Sequence, residues 1–171
     1  MKIPLQLGVE SSAGIGGPHC EYRYFLTRSW NLDLGLVLWI MLNPSVADAE
    51  SDDPTLVKVQ TFTRLWGYGA CEVVNLFAYR ATSPVEMKRY RGDSVGVANF
   101  GYVERAARRA KLIVCAWGKD GAHLDRGNIM LANLWDLGLD LHALKLNNDG
   151  SPAHPLYLPY STKPFKMEPH V

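Results

Sequence analysis

The stretch "LVLWIMLNPS", residues 36–45, decides the fold. Its first seven residues are apolar, which is typical of a central strand in a parallel sheet that helices cover on both faces. The apolar run stops at Asn43-Pro44-Ser45, and an acidic stretch follows. Such a strand carries Asn43 to its carboxyl end, where Pro44 restricts the backbone of the asparagine. We therefore predict a parallel sheet with an amide at the tip of one central strand.

The composition predicts a compact protein with a substantial core. Hydrophobic residues make up 47% of the 171 residues and charged residues 20%, which argues against disorder. Lysine and arginine number 18 against 17 acidic residues, so the net charge of +1 argues against a strongly basic coat for nucleic acid. No apolar run approaches the ~20 residues of a membrane span.

Three separated cysteines, without a CxxC pair, indicate reduced thiols, as in a cytoplasmic protein. We expect one domain over residues 1–171, with irregular stretches at 1–19 and 159–171. We also expect a monomer that needs neither a membrane nor an obligate protein partner.

Three more apolar segments, at 71–76, 112–117 and 141–146, read as buried strands, and the alternating stretch 22–30 reads as an edge strand. Apolar residues at helical spacing between the strands predict helices over 55–66, 97–110 and 124–137, with Asp53 and Pro54 starting the first and Gly67 and Gly138 ending two of them. The predicted fold class is α/β. We expect a three-layer sandwich with a mostly parallel central sheet of about four strands plus an antiparallel N-terminal edge strand.

The loops after these strands are the places to look for chemistry, because open α/β sheets bind ligands beyond the carboxyl ends of their strands. Those loops carry Asn43, Asn75, Gly118 and His154. Each also has an ordinary explanation: Asn-Pro starts many turns, an asparagine can cap a loop, and a His-Pro pair often lies on the surface. Together on one rim they favour a site.

Other motifs are weak. The sequence has no GxGxxG, no GxxxxGK[ST] and no GxSxG elbow. Asp48, Glu50, Asp52 and Asp53 could bind a divalent cation, but the start of a helix explains acidic residues as well. The basic segment 102–111 could meet phosphates or form a solvated helix face.

The order of these motifs resembles the uracil-DNA glycosylase superfamily. The matching segments are Met41-Leu42-Asn43-Pro44, "VNLFAYR" at 74–80, "LIVCAWG" at 112–118 and His154-Pro155-Leu156. More closely, the set "MLNPS…DDPT…WGY…VVNLFAYRAT…AWG…HPLYL" looks like a bacterial and phage family known only as a domain of unknown function, over about residues 22–158.

The resemblance implies that Asn43 orients a water, that His154 donates to the departing base, and that Asn75 reads the edge of a flipped base with Phe77 stacked on it. It also implies a wedge into the duplex at Leu156 and Tyr157. The remaining residues expected to bind the substrate are Met41, Leu42, Pro44, Ser45, Asp53, Arg80, Gly118 and Pro155. Two departures stand out: an amide at 43 cannot act as a general base, and no serine follows His-Pro. No cofactor and no metal is implied.

The resulting hypothesis is a monofunctional DNA glycosylase that removes a modified or damaged base, with a hypermodified pyrimidine of phage DNA, in a defence role, favoured by association alone. Two alternatives stay open. The chain could be a non-catalytic module that binds a modified base or nucleotide, or a hydrolase or transferase of free nucleotides.

Overall fold

The structure, a computed structural model, describes residues 2–45 and 48–169. Its strands are β1 (Ile3–Pro4), β2 (Glu10–Gly16), β3 (Tyr22–Ser29), β4 (Leu36–Met41), β5 (Ser51–Asp52), β6 (Ala70–Asn75), β7 (Leu112–Cys115), β8 (His142–Ala143) and β9 (Phe165–Lys166). Its helices are α1 (Pro54–Leu65), α2 (Pro84–Arg89), α3 (Asn99–Arg109) and α4 (Arg126–Asp136). The α/β class is therefore confirmed.

Seven strands form a mixed sheet in the order β2-β3-β6-β4-β7-β8-β9. The neighbours β6, β4, β7 and β8 pair in parallel, whereas β2, β3 and β6 pair antiparallel on one side and β9 pairs antiparallel with β8 on the other. The pair β1-β5 forms a separate antiparallel sheet of two strands.

The N-terminal stretch corrects the prediction, since residues 10–16 form β2 instead of an irregular segment. Glycines are typical of the irregular segment that was predicted, but here they make room for aromatic rings of β3. A Cβ on Gly14 would lie 2.3 Å from a ring carbon of Phe25, and one on Gly16 would lie 2.6 Å from the ring of Tyr24. Glycine in a strand here marks the close approach of a neighbouring side chain.

The C-terminal half differs from the prediction in two places. The expected strand 141–146 is reduced to the two residues of β8, and the tail from 159, expected to be irregular, supplies β9. Residues 1, 170 and 171 of the two stretches expected to be irregular lie outside the described residues.

The three predicted helices form, each within two residues of its expected ends. Asp53 caps α1 by accepting a hydrogen bond from Leu56 N at 2.8 Å, and Pro54 is its first residue. Gly67 and Gly138 follow α1 and α4 with φ of 84° and 73°, the left-handed backbone that ends helices. Helix α2 was not predicted, because six residues are too few to show a helical period.

Helices cover both faces of the sheet and bury a core layer on each. Helix α1 packs Leu56, Val59 and Phe62 on one face, where Trp39 donates from Nε1 to Thr63 Oγ1 at 3.1 Å. Helices α3 and α4 pack Val103, Met130 and Leu134, among others, on the opposite face. Within the described ranges, no helix is both long enough and apolar enough to cross a membrane.

Candidate functional site

The topology places a crevice at the carboxyl ends of β4 and β7. The chain leaves β4 through α1 and returns as β6 on one side, whereas it leaves β7 through α4 and returns as β8 on the other side. Strands whose connections diverge in this way open a crevice between their ends, which is where open α/β sheets bind ligands. A cavity of about 430 Å³ lies there.

Eight residues predicted from the sequence line this cavity. They are Met41, Leu42, Asn43, Ser45, Asp53, Asn75, Gly118 and His154. The amide from the first inner strand and the imidazole from the last loop thus share one pocket, as the sequence analysis expected.

Asn43 is held by the backbone of two loops. Its Nδ2 donates to Pro44 O and to Ala81 O, both at 3.0 Å, and Ala81 N donates in turn to Pro44 O at 3.1 Å. Since both partners are carbonyl acceptors, the amide nitrogen must face them. The orientation of the side chain is therefore fixed, and Oδ1 is left as an acceptor for a ligand.

Asn75 ends β6 and is the least satisfied polar side chain among the predicted residues. It is only 2% exposed, and its Nδ2 has no hydrogen-bond partner in the described part of the chain. An amide buried without partners costs free energy, on the order of 1–3 kcal/mol. Four other atoms without a hydrogen-bond partner in the described residues, Asn99 Oδ1, Gln60 Oε1, Arg126 Nε and His142 Nδ1, belong to residues that do not line the cavity.

His154 has a defined protonation pattern. Its Nδ1 accepts from Leu156 N at 3.3 Å, so the proton of a neutral imidazole sits on Nε2. Burial lowers the pKa of His154 below its ordinary value, and the charge of Asp53 opposes that shift in part. His154 therefore offers an uncharged N–H donor, and Nε2 has no partner among residues 2–45 and 48–169.

Gly118 brings the third and fourth loops together. Its N–H donates to Pro152 O at 2.8 Å, and a Cβ added to it would lie 3.8 Å from the Cβ of His154. Its φ of 73° is the left-handed conformation that favours glycine. The glycine after the third strand thus joins this loop to the loop that carries His154.

Two charged groups lie deep in the site. Arg23 is 4% exposed, and burial lowers the pKa of its guanidinium to about 10, so it remains a cation at neutral pH. Asp53 raises the pKa of Arg23 and of His154, which means that its charge acts on both. One oxygen of Asp53 accepts from Leu56 N.

Arg23 was not among the predicted site residues, because a β-bulge changes the direction of its side chain. The pairing of β2 with β3 shifts between Gly14 and Ile15, so that Tyr24 has no partner in the register. The extra residue reverses the alternation along β3 and turns Arg23 to the side of Leu26. The loop after β7 and the start of α2 add further lining residues that were not predicted, among them Trp117, Lys119, Asp120, Thr82 and Ser83.

The position of Phe77 differs from the prediction. We expected it beside Asn75 on the same side of a continuing strand, but β6 ends at Asn75 and the alternation ends with it. Phe77 is fully buried in the core layer under α3 and α4, with its ring 5.6 Å from that of His123. It cannot stack on a ligand in this pocket without leaving the core.

Five other predicted residues lie outside the cavity lining, although three of them adjoin it in sequence. Pro44 is buried and holds the turn after β4 through its carbonyl oxygen, and Arg80 donates from Nη1 to Cys20 O at 3.4 Å. Pro155, Leu156 and Tyr157 form a short 3-10 turn after His154, in which Pro155 is buried and Tyr157 is 89% exposed.

The carboxylates of the acidic stretch do not converge on a site for a metal cation. Asp48 contacts Lys2 and Ser51, Asp52 pairs with Arg28, and Asp53 caps α1. In the part of the chain that the structure describes, no three His, Cys, Asp or Glu side chains are grouped as metal ligands.

A family model described as "Protein of unknown function (DUF1643)" matches residues 23–156, a range that contains every residue of the pocket named above. No curated protein and no solved structure matches the chain.

Proposed function

The chain belongs to the DUF1643 family, and we propose that its pocket binds an everted nucleobase of DNA and hydrolyses the N-glycosidic bond of a modified or damaged base. One observation carries the proposal. The unpartnered amide of Asn75 lies in the same cavity as the free oxygen of Asn43 and the free N–H of His154. A planar heterocycle with donors and acceptors on its edge satisfies such a set.

The resemblance to uracil-DNA glycosylases supports this reading. Its four motifs are far apart in sequence, yet Asn43, Asn75, Gly118 and His154, one from each motif, all line one cavity. Four parallel strands side by side, with the site at their carboxyl ends, suit a glycosylase-like sheet. We therefore extend the proposal to the fold: a uracil-DNA glycosylase-like sandwich with antiparallel strands added at its edges.

His154 suits the departure of the base. When the bond between C1′ and the base nitrogen breaks, its electron pair leaves with the base, and negative charge develops on the base oxygens. A preorganised N–H donor stabilises such charge by about 2–4 kcal/mol in a site that excludes water. His154 supplies that donor while neutral, because its Nδ1 is occupied by Leu156 N–H and the proton stays on Nε2.

The attacking water needs one group that positions it by a hydrogen bond and a second group that accepts its proton. Asn43 Oδ1 can accept a hydrogen bond from the water, but an amide does not take up its proton. Asp53 lies in the same cavity, and only one of its oxygens is used by the helix cap. The water oxygen forms the bond to C1′ and Asp53 takes its proton, while the leaving base collects a proton from solvent.

The turn after His154 is suited to the entry of the base into the pocket. Tyr157 is 89% exposed and three residues from the imidazole, so its ring is free to fill the space that the base leaves in the duplex. Asn75 then reads the edge of the base, since an asparagine amide offers one acceptor and two donors.

The size of the cavity supports an enlarged base. A volume of about 430 Å³ lies within the roughly 300–1,000 Å³ of small-molecule pockets. This is more than a plain pyrimidine ring fills, and a hydroxymethylated or glycosylated pyrimidine would use the remainder. The substituents of such bases are polar. Ser45 offers a hydroxyl to them, and the hydroxyl of Ser83, which accepts from Glu86 N at 3.2 Å, can still donate.

The test is a screen for base release. Genomic DNA from phages with different modified bases is incubated with the protein, released bases are identified by mass, and abasic sites are counted by alkaline cleavage. We expect release of one class of base by the wild-type chain and loss of release in His154→Ala. Asp53→Asn should also lose release while still folding, because asparagine caps helices as well as aspartate does, and the loss of its charge near the buried Arg23 should lower the melting temperature.

A non-catalytic base-binding module is the second candidate, and the amide at position 43 favours it. In that case the modified DNA binds, no base is released, and Asn75→Leu weakens binding. If the DNA is neither bound nor cleaved while free nucleosides react, both proposals on DNA fail.

A further inference from the structure

Two segments of the chain are rich in basic residues, and the structure uses them differently. In α3, the guanidinium of Arg105 lies 4.5 Å from the centre of the Tyr102 ring, Arg108 donates to Glu104 at 2.8 and 2.9 Å, and Arg109 pairs with Glu72. The arginines of α3 are therefore engaged by other groups of the protein.

The segment 89–91 at the end of α2 behaves in the opposite way. Arg89 and Arg91 are exposed, and neither has an ion pair or a side-chain hydrogen bond to any residue that the structure describes. The nearby carboxylates are occupied, since Glu86 accepts from Thr82, Asp93 accepts from two backbone N–H groups, and Asp120 pairs with Lys88.

This segment is anchored beside the mouth of the pocket. Ser83 and Pro84, at the start of α2, line the cavity, and α2 is only about 9 Å long at 1.5 Å per residue. The Lys88–Asp120 ion pair ties the helix to the loop after β7, where Asp120 and Lys119 line the cavity as well.

The position of the segment is also fixed from within. Met87 is fully buried, and the rings of Tyr79 and Tyr90 stack with their centres 3.8 Å apart. Arg89 and Arg91 flank Tyr90 in sequence, so the backbone that carries them is held in place.

We infer that Arg89, Arg91 and Lys119, the mouth patch, bind phosphates of the DNA strand that carries the base. The inference deepens the proposed function and rests on it, because a base that enters the pocket from a strand leaves its phosphates at the mouth. Exposed cations without internal partners can exchange their counterions for phosphates, whereas cations already engaged in ion pairs have less to offer.

The test compares two variants of equal charge. Arg89→Gln/Arg91→Gln removes two positive charges from the mouth patch, and Arg105→Gln/Arg108→Gln removes two from α3. The affinity of each for a fluorescent DNA oligonucleotide is measured by anisotropy over a series of salt concentrations. We expect the mouth variant to bind more weakly and the magnitude of the slope of log K against log salt to fall by roughly 1.4–1.8, at roughly 0.7–0.9 for each of two phosphate contacts.

The α3 variant should keep a slope close to that of the wild type, and Arg89→Lys/Arg91→Lys should keep it too, since a phosphate contact needs the charge more than the fork of the guanidinium. Equal effects of the two glutamine variants would mean that only net charge matters and would overturn the inference. A wild-type chain without salt-dependent binding would overturn it as well.

The two proposals fail separately. If the mouth patch controls binding but no base is released from any DNA, the glycosylase proposal fails and the proposal that the mouth patch binds phosphates is kept. If base is released and the mouth variant binds DNA as the wild type does, the proposal that the mouth patch binds phosphates fails and the glycosylase proposal is kept. Circular dichroism and melting temperatures should be unchanged in all variants, because the substituted side chains are exposed.

Discussion

Two clusters of buried polar side chains lie on the same side of the sheet, and they differ in how far their polar atoms are hydrogen-bonded within the protein. The closed cluster consists of Arg28, Asp52 and Gln60: Arg28 Nε donates to Asp52 Oδ1 at 2.9 Å, and Gln60 Nε2 donates to Asp52 Oδ2 at 2.6 Å. Arg28 also donates to backbone oxygens, including Ser51 O at 3.1 Å. The open cluster consists of Asn43, Asn75 and His154, whose free atoms face a cavity.

The difference separates polar groups that stabilise the fold from polar groups that await a ligand. The hydrogen-bonded ion pair of Arg28 and Asp52 has already recovered much of its desolvation cost inside the protein, and the one unpartnered atom of its cluster, Gln60 Oε1, does not face the cavity. The amide nitrogen of Asn75 has not recovered its cost, and the N–H of His154 is still available. The two clusters should therefore respond oppositely to mutation: changes in the closed cluster affect stability, and changes in the open cluster affect binding and chemistry.

The largest expected effect is in the closed cluster. Arg28→Met leaves Asp52 buried without its cation and should lower the free energy of unfolding by about 3–5 kcal/mol, measured by urea denaturation. The double variant Arg28→Met/Asp52→Leu should recover part of the loss, because it removes the unpaired charge. A single variant as stable as the wild type would show that the pair contributes nothing to the fold.

The next effect tests the open cluster by rate. His154→Ala should slow base release about 10²–10³-fold, as the loss of one preorganised donor does, with little change in DNA affinity. Single-turnover assays separate the two quantities. His123→Ala is the matched control, since this histidine is half-buried but packs on Phe77 outside the cavity, and its rate should be unchanged.

Asn75 and Asn99 allow a comparison of two neighbouring buried amides. Asn99 Nδ2 donates to Asn75 O at 2.8 Å and to Leu76 O at 3.2 Å, so Asn99→Leu should cost about 1–3 kcal/mol of stability. Asn75→Leu removes an amide nitrogen without a partner and should leave the free energy of unfolding equal or higher, while ligand binding is lost. Thermal melts and DNA titrations of both variants measure this contrast, and a strong destabilisation by Asn75→Leu would contradict the open cluster.

The smallest effect is on the pH dependence of stability. Burial lowers the pKa of His154 in the folded chain below the 6.5 of a free imidazole, so on acidification the unfolded chain takes up this proton first. The free energy of unfolding contributed by His154 is therefore complete above about pH 6.5 and decreases as the pH falls toward the folded pKa. The difference between wild type and His154→Gln in urea midpoints across this range measures it, and a difference that grows on acidification would contradict it.

Sequence alone predicted the parts of the molecule that depend on local pattern. The apolar run at 36–42 gave a buried strand, Asp53-Pro54 began a helix and Gly67 ended it, and the loops with Asn43, Asn75, Gly118 and His154 met at one pocket. These predictions succeeded because hydrophobic period, capping chemistry and parallel strand direction are all readable within a few residues.

Tertiary structure decided everything that depends on how distant segments meet. Gly14 and Gly16 belong to a strand only because rings of β3 occupy the space above them, a bulge at Tyr24 turns Arg23 into the pocket, and the end of β6 at Asn75 sends Phe77 to the opposite core. The sequence also made the arginines of α3 and of α2 look alike, whereas the fold engages one set and leaves Arg89 and Arg91 exposed. The physical reason is that direction, burial and pairing of a side chain are set by neighbours far away in the chain, which no local pattern encodes.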